Sequence, residues 1–125
     1  MWNKNDEFSN DLSERLFVFA AAVIKFLASL VNTPEAKIVR YQLAKSSSSS
    51  GANYEEAQAG SSKADFTNKV RIALREMRES NYWLRLIKAS AITCNYEERD
   101  KLIKESQELM NILGSIVQKT RDKNS

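Results

Sequence analysis

Residues 42–92 decide the fold, and they read QLAKSSSSSGANYEEAQAGSSKADFTNKVRIALREMRESNYWLRLIKASAI. Two segments of helical periodicity are joined at Ala59-Gly60-Ser61. The second segment has the clearer pattern, because apolar residues recur on one face and basic residues on another. The first segment contains five consecutive serines followed by a glycine, and it needs a separate interpretation.

The second segment carries a row of basic residues with one aromatic residue among them. At about 100° per residue, four side chains lie within roughly 40° of Arg71 on a helix, and a fifth lies further round. We call the whole set the basic stripe: Arg71, Arg75, Arg78, Tyr82, Arg85 and Lys88. The other side of the helix is a wide apolar arc of Phe66, Val70, Ala73, Leu74, Met77, Leu84, Ile87 and Ala91, with a smaller patch of Ile72, Trp83 and Leu86 beside it.

The serine run from Ser46 to Ser50, followed by Gly51, has two interpretations. Its composition is typical of a flexible linker. If the helical period continues through it, small residues occupy a buried face and allow neighbouring backbones to approach closely. Serine and glycine cost up to about 0.5 and 1 kcal/mol relative to alanine in a helix, so such a helix depends on tertiary packing. The residues alone leave both interpretations open; the face in question is Ala36, Val39, Leu43, Ser47, Ser50, Tyr54 and Ala57.

Across both segments, the order and spacing of a set of residues match a known pattern. The matching residues are Ser50, Gly51, Ala52, Asn53, Tyr54, Glu56, Ala57, Ser62, Asp65, Phe66, Lys69, Ala73, Glu76, Glu79, Tyr82, Trp83 and Leu84. In these positions the chain resembles a bacterial family of four-helix-bundle proteins first noticed as products of intervening sequences in large-subunit ribosomal RNA genes. The resemblance covers most of the second and third helices, whereas the first and fourth match only in length and pattern. It implies that the serine-glycine segment lies inside the second helix. Where the family often has a bulkier or basic residue, this chain has serines, so the local packing is expected to differ.

The same resemblance implies partners. Members of the family resemble the accessory protein of diversity-generating retroelements, a basic pentameric bundle that binds nucleic acid and a reverse transcriptase. The resemblance therefore implies a homo-oligomer, namely a pentamer, with RNA or DNA and a reverse transcriptase as partners. The family as a whole has no settled function.

Composition limits the class of protein. The 125 residues are enough for one domain, and 42% hydrophobic and 28% charged residues with three glycines and one proline are typical of a helical protein. Nineteen basic and sixteen acidic residues give a net charge of +3, which favours an anionic partner only mildly unless copies of the chain assemble. Cys94 is the only cysteine, and no secretory signal is visible, so we expect a cytoplasmic protein.

We predict a single all-α domain over residues 1–125, with helices at about 8–31, 34–59, 62–92 and 96–119. Residues 1–6 are expected to be loose, and the chain ends in a polar, basic tail. Thr33, Ser62 and Asn95 are suitable N-caps for the last three helices. Short connections require neighbouring helices to run antiparallel, so the predicted architecture is an up-down-up-down four-helix bundle. The apolar seam of the last helix is Leu102, Ser106, Leu109, Leu113 and Ile116.

The first predicted helix is apolar almost all round. Residues 17–31 contain one charge, Lys25, but they span only about 22 Å, short of the roughly 30 Å of a bilayer core, so we predict no transmembrane span. Val18 and Ala22 lie opposite the main apolar face, and a lone bundle cannot cover both sides. We interpret this helix as a subunit contact, with scattered exposed aliphatics as the alternative. The main face is Phe8, Leu12, Leu16, Phe19, Ala20, Val23, Leu27 and Leu30.

Signatures of catalysis are missing from the sequence. There is no histidine, so the Glu-x-x-His pairs of a di-iron bundle cannot be formed, and the serines have no obvious base. No glycine-rich phosphate loop or CxxC pair occurs. The acidic residues of the middle helices are expected to pair with basic residues such as Arg40 rather than bind a metal; they are Glu55, Glu56, Glu76 and Glu79. We therefore expect no enzymatic activity and no cofactor.

The basic stripe remains the best candidate for a functional site. Guanidinium groups bind phosphates bidentately, and Tyr82 offers a ring on which an unpaired base can stack, whereas Trp83 is expected to pack. The leading hypothesis is a non-catalytic oligomeric adaptor that binds nucleic acid, in particular RNA or RNA with a protein partner. The alternative is a structural or protein-interaction scaffold, in which the arginines pair with Glu76, Glu79 or acids of the last helix. A small-molecule or metal-binding bundle is a weaker third hypothesis.

Overall fold

The computed structural model describes residues 7–60 and 62–122, and the side chains of residues 11–60 and 62–121. It contains four α-helices and, within those ranges, no strand. They are α1 (Glu7–Leu27), α2 (Pro34–Gln58), α3 (Lys63–Ala89) and α4 (Tyr96–Asp122). The predicted all-α class is confirmed. Predictions for residues 1–6, for the side chain of Phe8 and for residues 123–125 of the tail lie outside the described residues.

Consecutive helices run antiparallel, because their contacts pair rising residue numbers on one helix with falling numbers on the next. Among the described residues α1 contacts α2 and α4 but not α3, so α1 and α3 lie at opposite corners of the bundle. The up-down-up-down arrangement follows from this order and from connections of four to six residues. The contacts that show the antiparallel direction are Ser46 with Ser80 and Ser50 with Ala73 between α2 and α3. Between α3 and α4 they are Asn81 with Ser106 and Lys88 with Asp100.

The interior is formed by the predicted apolar faces. Every residue predicted on the inner face of α2 is buried, and α3 buries all of its apolar arc except Ala91. On α1, Phe26 is buried although it was not predicted, and Ala20 is only half-buried. On α4, Ile116 is half-buried and packs against the core. The largest fully buried side chains are Tyr54, Phe19, Leu16, Leu43, Met77, Leu84, Ile87, Leu109 and Leu113.

The serine run is helical and closely packed, so the linker interpretation is wrong and the one implied by the resemblance is confirmed. Ser50 is fully buried and its Oγ donates to the carbonyl oxygen of Ala73 on α3 at 2.7 Å. The hydroxyl oxygens of Ser46 and Ser80 lie 2.8 Å apart across the same interface. These bonds matter because a buried hydroxyl without a partner costs about 1–3 kcal/mol. Small side chains thus let α2 and α3 approach, and the buried hydroxyls of Ser46, Ser50 and Ser80 each have a hydrogen-bond partner.

The seam between α1 and α4 is less extensive and is joined by an arginine fork. Nε and Nη2 of Arg15 donate to the two carboxylate oxygens of Glu105, each at 2.7 Å, and Nη2 also donates to Glu108 at 3.1 Å. This bidentate geometry is the strong form of a charge-assisted pair. Hydrogen bonding to Glu105, and then to Glu108, raises the pKa of Arg15 above its ordinary value, so the guanidinium stays charged.

The N-terminal caps are confirmed. The backbone N–H groups of Ala36, Asp65 and Glu98 donate to the side chains of Thr33 (3.1 Å), Ser62 (3.1 Å) and Asn95 (3.0 Å), respectively. Each bond satisfies one of the N–H groups that a helix start leaves without an intrahelical acceptor.

Helix α1 ends at Leu27, four residues before the predicted Val31. Arg40 of α2 donates to the carbonyl oxygens of Leu27 and Leu30 there, the latter at 3.2 Å. The expected pairing of Arg40 with a glutamate is therefore wrong. Glu56 instead forms an ion pair with Lys69 at 3.4 Å.

Helix α3 ends at Ala89, before the predicted Ile92, because Ala91 takes a left-handed conformation with φ 56°. The N–H of Ile92 donates to the carbonyl of Ile87 at 3.2 Å, and that of Ala91 to Lys88 at 3.1 Å. This pair of bonds defines a Schellman motif, which usually has glycine at the left-handed position. The turn explains why Ala91 lies outside the apolar arc of α3.

Candidate nucleic-acid interface

All six side chains of the basic stripe are exposed on the outer face of α3. The row runs along the helix for about 25 Å from Arg71 to Lys88, at 1.5 Å per residue. It faces away from the bundle because the apolar arc on the opposite side is buried against α2 and α4. The site residues predicted from spacing therefore share one accessible surface.

Three arginines of the stripe have no ion-pair partner among the described residues. In the part of the chain that the structure describes, Arg71, Arg75 and Arg78 form no ion pair with an acidic residue. Lys88 does, through a 3.4 Å contact with Asp100 of α4. Hydrogen bonds from Arg99 and then from Lys88 lower the pKa of Asp100 from its ordinary value, so this carboxylate is charged at neutral pH. The end of the stripe at Lys88 is thus partly neutralised, whereas its middle is not.

Arg85 is held by a relay of hydrogen bonds that reaches into the core. Its Nε donates to Asn81 Oδ1 at 2.8 Å, and Asn81 Nδ2 donates to Ser106 Oγ of α4 at 2.9 Å. Ser106 Oγ in turn donates to the carbonyl oxygen of Ile103 at 2.8 Å. Asn81 and Ser106 are both buried. Sequence reasoning missed the role of Asn81, although a polar residue facing the core one turn before Arg85 is a usable signal.

Tyr82 lies at the centre of the exposed face, with 49% of its surface exposed. Its ring meets that of Trp83 edge to face, with centroids 5.2 Å apart and an interplanar angle of 79°. Arg85 Cζ lies 5.9 Å from the Tyr82 ring centroid. Trp83 packs against the core, as predicted. The tyrosine ring is therefore oriented by its neighbours while one side remains open to solvent.

A second exposed surface, the α1 outer face, has the opposite character. Phe17, Val18 and Ile24 are 62%, 54% and 52% exposed, and the exposed Ala21 lies between them. The exposure of Val18 was predicted, but Ala22 is half-buried and packs against the core, so its prediction was wrong. A groove of about 380 Å³ separates this face from the small residues of α2; it is lined by Ser13, Phe17, Ala20, Ala21, Ile24, Ser48, Gly51, Ala52 and Glu55.

Other chemistry on the described residues is limited. They contain no cluster of three or more histidine, cysteine, aspartate or glutamate side chains that could hold a metal ion. Cys94 is half-buried between α3 and α4 and packs against the core, and burial raises the pKa of its thiol. Cys94 therefore acts as a small packing residue at the junction of α3 and α4. Over the same ranges none of the four helices has both the length and the apolar character needed to cross a bilayer.

Comparison with known proteins agrees with this architecture. The family model described as 23S rRNA-intervening sequence protein matches residues 9–115, which include most of α1 and α4 as well as α2 and α3. The chain is similar to a crystal structure of a protein of unknown function from the S23 ribosomal protein family of Bacteroides thetaiotaomicron. The two are 34% identical with a TM-score of 0.74, over 85% of this chain and 97% of that one. Among curated proteins there is no match.

Proposed function

The chain belongs to the 23S rRNA-intervening sequence protein family, and we propose that it is a non-catalytic, homo-oligomeric adaptor that binds RNA through the basic stripe. The observation that supports this most directly is the row of Arg71, Arg75 and Arg78. These guanidinium groups are exposed on one helix face without acidic partners among the described residues. The family name, which refers to ribosomal RNA, points to the same class of ligand.

Electrostatics favours a phosphate backbone over a compact anion as the ligand. The charges are spread over about 25 Å of a straight helix, so a chain of phosphates can contact several of them at once. Each neutralised phosphate releases counterions, and the gain adds along the row. The net charge of only +3 means that this attraction is local to the stripe rather than a property of the whole surface.

Assembly belongs to the same proposal. The α1 outer face is apolar, and contact with further copies of the chain would remove Phe17, Val18 and Ile24 from water. Because α1 and α3 lie at opposite corners, a contact made by α1 does not itself cover the stripe of the same copy. The number of copies implied by the resemblance is five, and a reverse transcriptase is the protein partner that it implies. Repeated stripes would raise the avidity for one long RNA.

A second candidate function is a protein-interaction scaffold without affinity for nucleic acid. The observation that favours it is the same α1 outer face with its flanking groove, since an apolar surface of this kind contacts protein. Under this alternative the arginines of α3 are a hydrated surface with no ligand.

Charge reversal across a salt series separates the two candidates. We expect the wild-type chain to bind a labelled RNA with an affinity that falls as salt rises, and the triple variant R71E/R75E/R78E to lose about a hundredfold or more. The log–log salt slope should become shallower by roughly 2 to 3, at about 0.7–0.9 per phosphate contact. A matched control reverses Lys37, Lys45 and Lys104, which are exposed on α2 and α4 outside the stripe. Wild-type binding that is absent or insensitive to salt, or equal losses in both variants, would support the scaffold instead.

A further inference from the structure

A shallow pocket lies towards the C-terminal end of the stripe. It is lined by Tyr82, Arg85, Leu86 and Ala89 and has a volume of about 180 Å³. Tyr82, Leu86 and Ala89 follow one another at helical spacing, so the pocket is a feature of one face of α3. A shallow pocket of this size on a single helix face suits one planar ring system rather than a folded partner. The pocket thus combines the aromatic ring of Tyr82 with the positive charge of Arg85, on the same helix face as the other arginines of the basic stripe.

The orientation of Arg85 in this pocket is determined by the relay beneath it. Ser106 has one hydroxyl hydrogen and donates it to Ile103, so its oxygen can only accept from Asn81. The Asn81 amide must therefore present its nitrogen to Ser106 and its oxygen to Arg85. Only Nε of Arg85 is used by this contact, and in the described ranges Arg85 makes no ion pair. The two terminal amino groups remain for a ligand.

The orientation of Tyr82 is determined by packing. One ring contact is the edge-to-face pair with Trp83, which itself packs against the core. With Arg85 Cζ 5.9 Å from the ring centroid, the pair combines a stacking surface with a fixed positive charge. Unpaired bases stack on such aromatic rings, whereas the bases of a continuous duplex are stacked on each other and cannot reach them.

We propose that this pocket binds a single unpaired nucleobase. The base stacks on Tyr82, and Arg85, positioned by Asn81 and Ser106, binds the phosphate beside it, while Arg71, Arg75 and Arg78 follow the rest of the backbone. This inference rests on the proposed function and deepens it, because it names the ligand class as single-stranded or looped RNA rather than uninterrupted duplex. Asn81 and Ser106 act as positioning residues.

The test compares two labelled RNAs of equal length, one unstructured and one a continuous duplex. Tyr82→Ala should weaken binding of the single strand about tenfold, since each stacked base contributes on that scale, and should leave duplex binding within about twofold. Its salt slope should match the wild type, because no phosphate contact is lost. Tyr82→Phe keeps the ring and should bind like the wild type. Equal losses for both RNAs, or no loss for either, would contradict base binding in the pocket. Neither result would contradict phosphate binding by the basic stripe.

The positioning of Arg85 is tested with a matched pair of conservative changes. Arg85→Lys keeps the charge but removes the Nε–H that Asn81 holds, so single-strand affinity should fall about fivefold, whereas Arg78→Lys should stay within about twofold. If the two variants behave alike, Arg85 contributes charge alone and the positioning role is wrong. If the wild-type chain binds neither RNA, the proposed function and the pocket fail together, and this result differs from the failure of the pocket alone.

Discussion

The outer faces of α1 and α3 lie at opposite corners of one bundle and have opposite chemistry. Phe17, Val18 and Ile24 on α1 are each more than half exposed, whereas the exposed residues of α3 include four arginines and a lysine. Both helices bury a similar apolar side, so packing in the interior does not explain why their outer faces differ. Exposed guanidinium groups are well hydrated, but a contiguous apolar surface gains free energy when it is covered. The proposed function rests on this difference, with α1 contacting protein and α3 contacting an anion.

The largest expected effect comes from placing charge on the α1 outer face. Phe17→Glu with Ile24→Glu should shift the chain to a monomer, with dissociation favoured by more than about a hundredfold, because an unpaired carboxylate in an apolar interface costs several kcal/mol. Light scattering measures the molar mass. The bundle should still fold, since both side chains are exposed.

The control for this variant is Ile38→Glu with Tyr41→Glu on α2, where both residues are more than 60% exposed. We expect it to assemble as the wild type does. A wild-type chain that is already monomeric, or an oligomer that survives the α1 substitutions, would break the comparison by showing that α1 is not the contact. RNA binding per chain should persist in the α1 variant, although without the avidity of repeated stripes.

Periodicity predicts the two faces well, because both depend only on the angular position of a residue on its helix. The same rule places Ser47 and Ser50 on one face of α2 and Arg75 and Arg78 on the side of α3 opposite its apolar arc, and the structure buries the two serines and exposes the two arginines. The serine run needed more than the rule, since its composition is equally typical of a linker. The resemblance supplied what its residues could not.

Contacts between distant residues were not predictable in this way. Arg40 donates to carbonyls at the end of α1, and Asn81 reaches Ser106 on α4, because of how far the helices are shifted along one another. That shift depends on packing across the whole interface, which no local pattern encodes. The pocket beside Tyr82 was also missed, although all of its lining residues lie on α3 and the stacking role of the ring was predicted.

The second prediction concerns the interior that holds both faces in place. Ser50→Leu should destabilise the fold by about 2–3 kcal/mol, because a larger side chain is forced between α2 and α3 and the bond to Ala73 is lost. Chemical denaturation gives the free energy of unfolding. Ser48→Leu is the matched change at an exposed position two residues away and should stay within about 0.5 kcal/mol.

Equal stability of the two serine variants would show that the α2–α3 interface tolerates expansion. The stripe would then lie on a movable helix, and its position relative to the α1 outer face would not be fixed. A large difference between the unfolding free energies of the two variants would sharpen the comparison. It would show that the basic stripe and the α1 outer face are held in fixed positions by the same closely packed interior.

The smallest expected effect is at Ala91, which belongs to neither face. Its φ of 56° is unfavourable for a residue with a Cβ, so Ala91→Gly should stabilise the chain by about 1 kcal/mol and raise the Tm by roughly 4 °C. Ala89→Gly, at the last residue of α3, should instead destabilise it by about 0.5–1 kcal/mol. Molar mass and RNA affinity should be unchanged in Ala91→Gly, because Ala91 belongs neither to the stripe, nor to the pocket beside Tyr82, nor to the α1 outer face. If RNA affinity rose together with stability in Ala91→Gly, losses in the stripe variants could no longer be assigned to lost phosphate contacts.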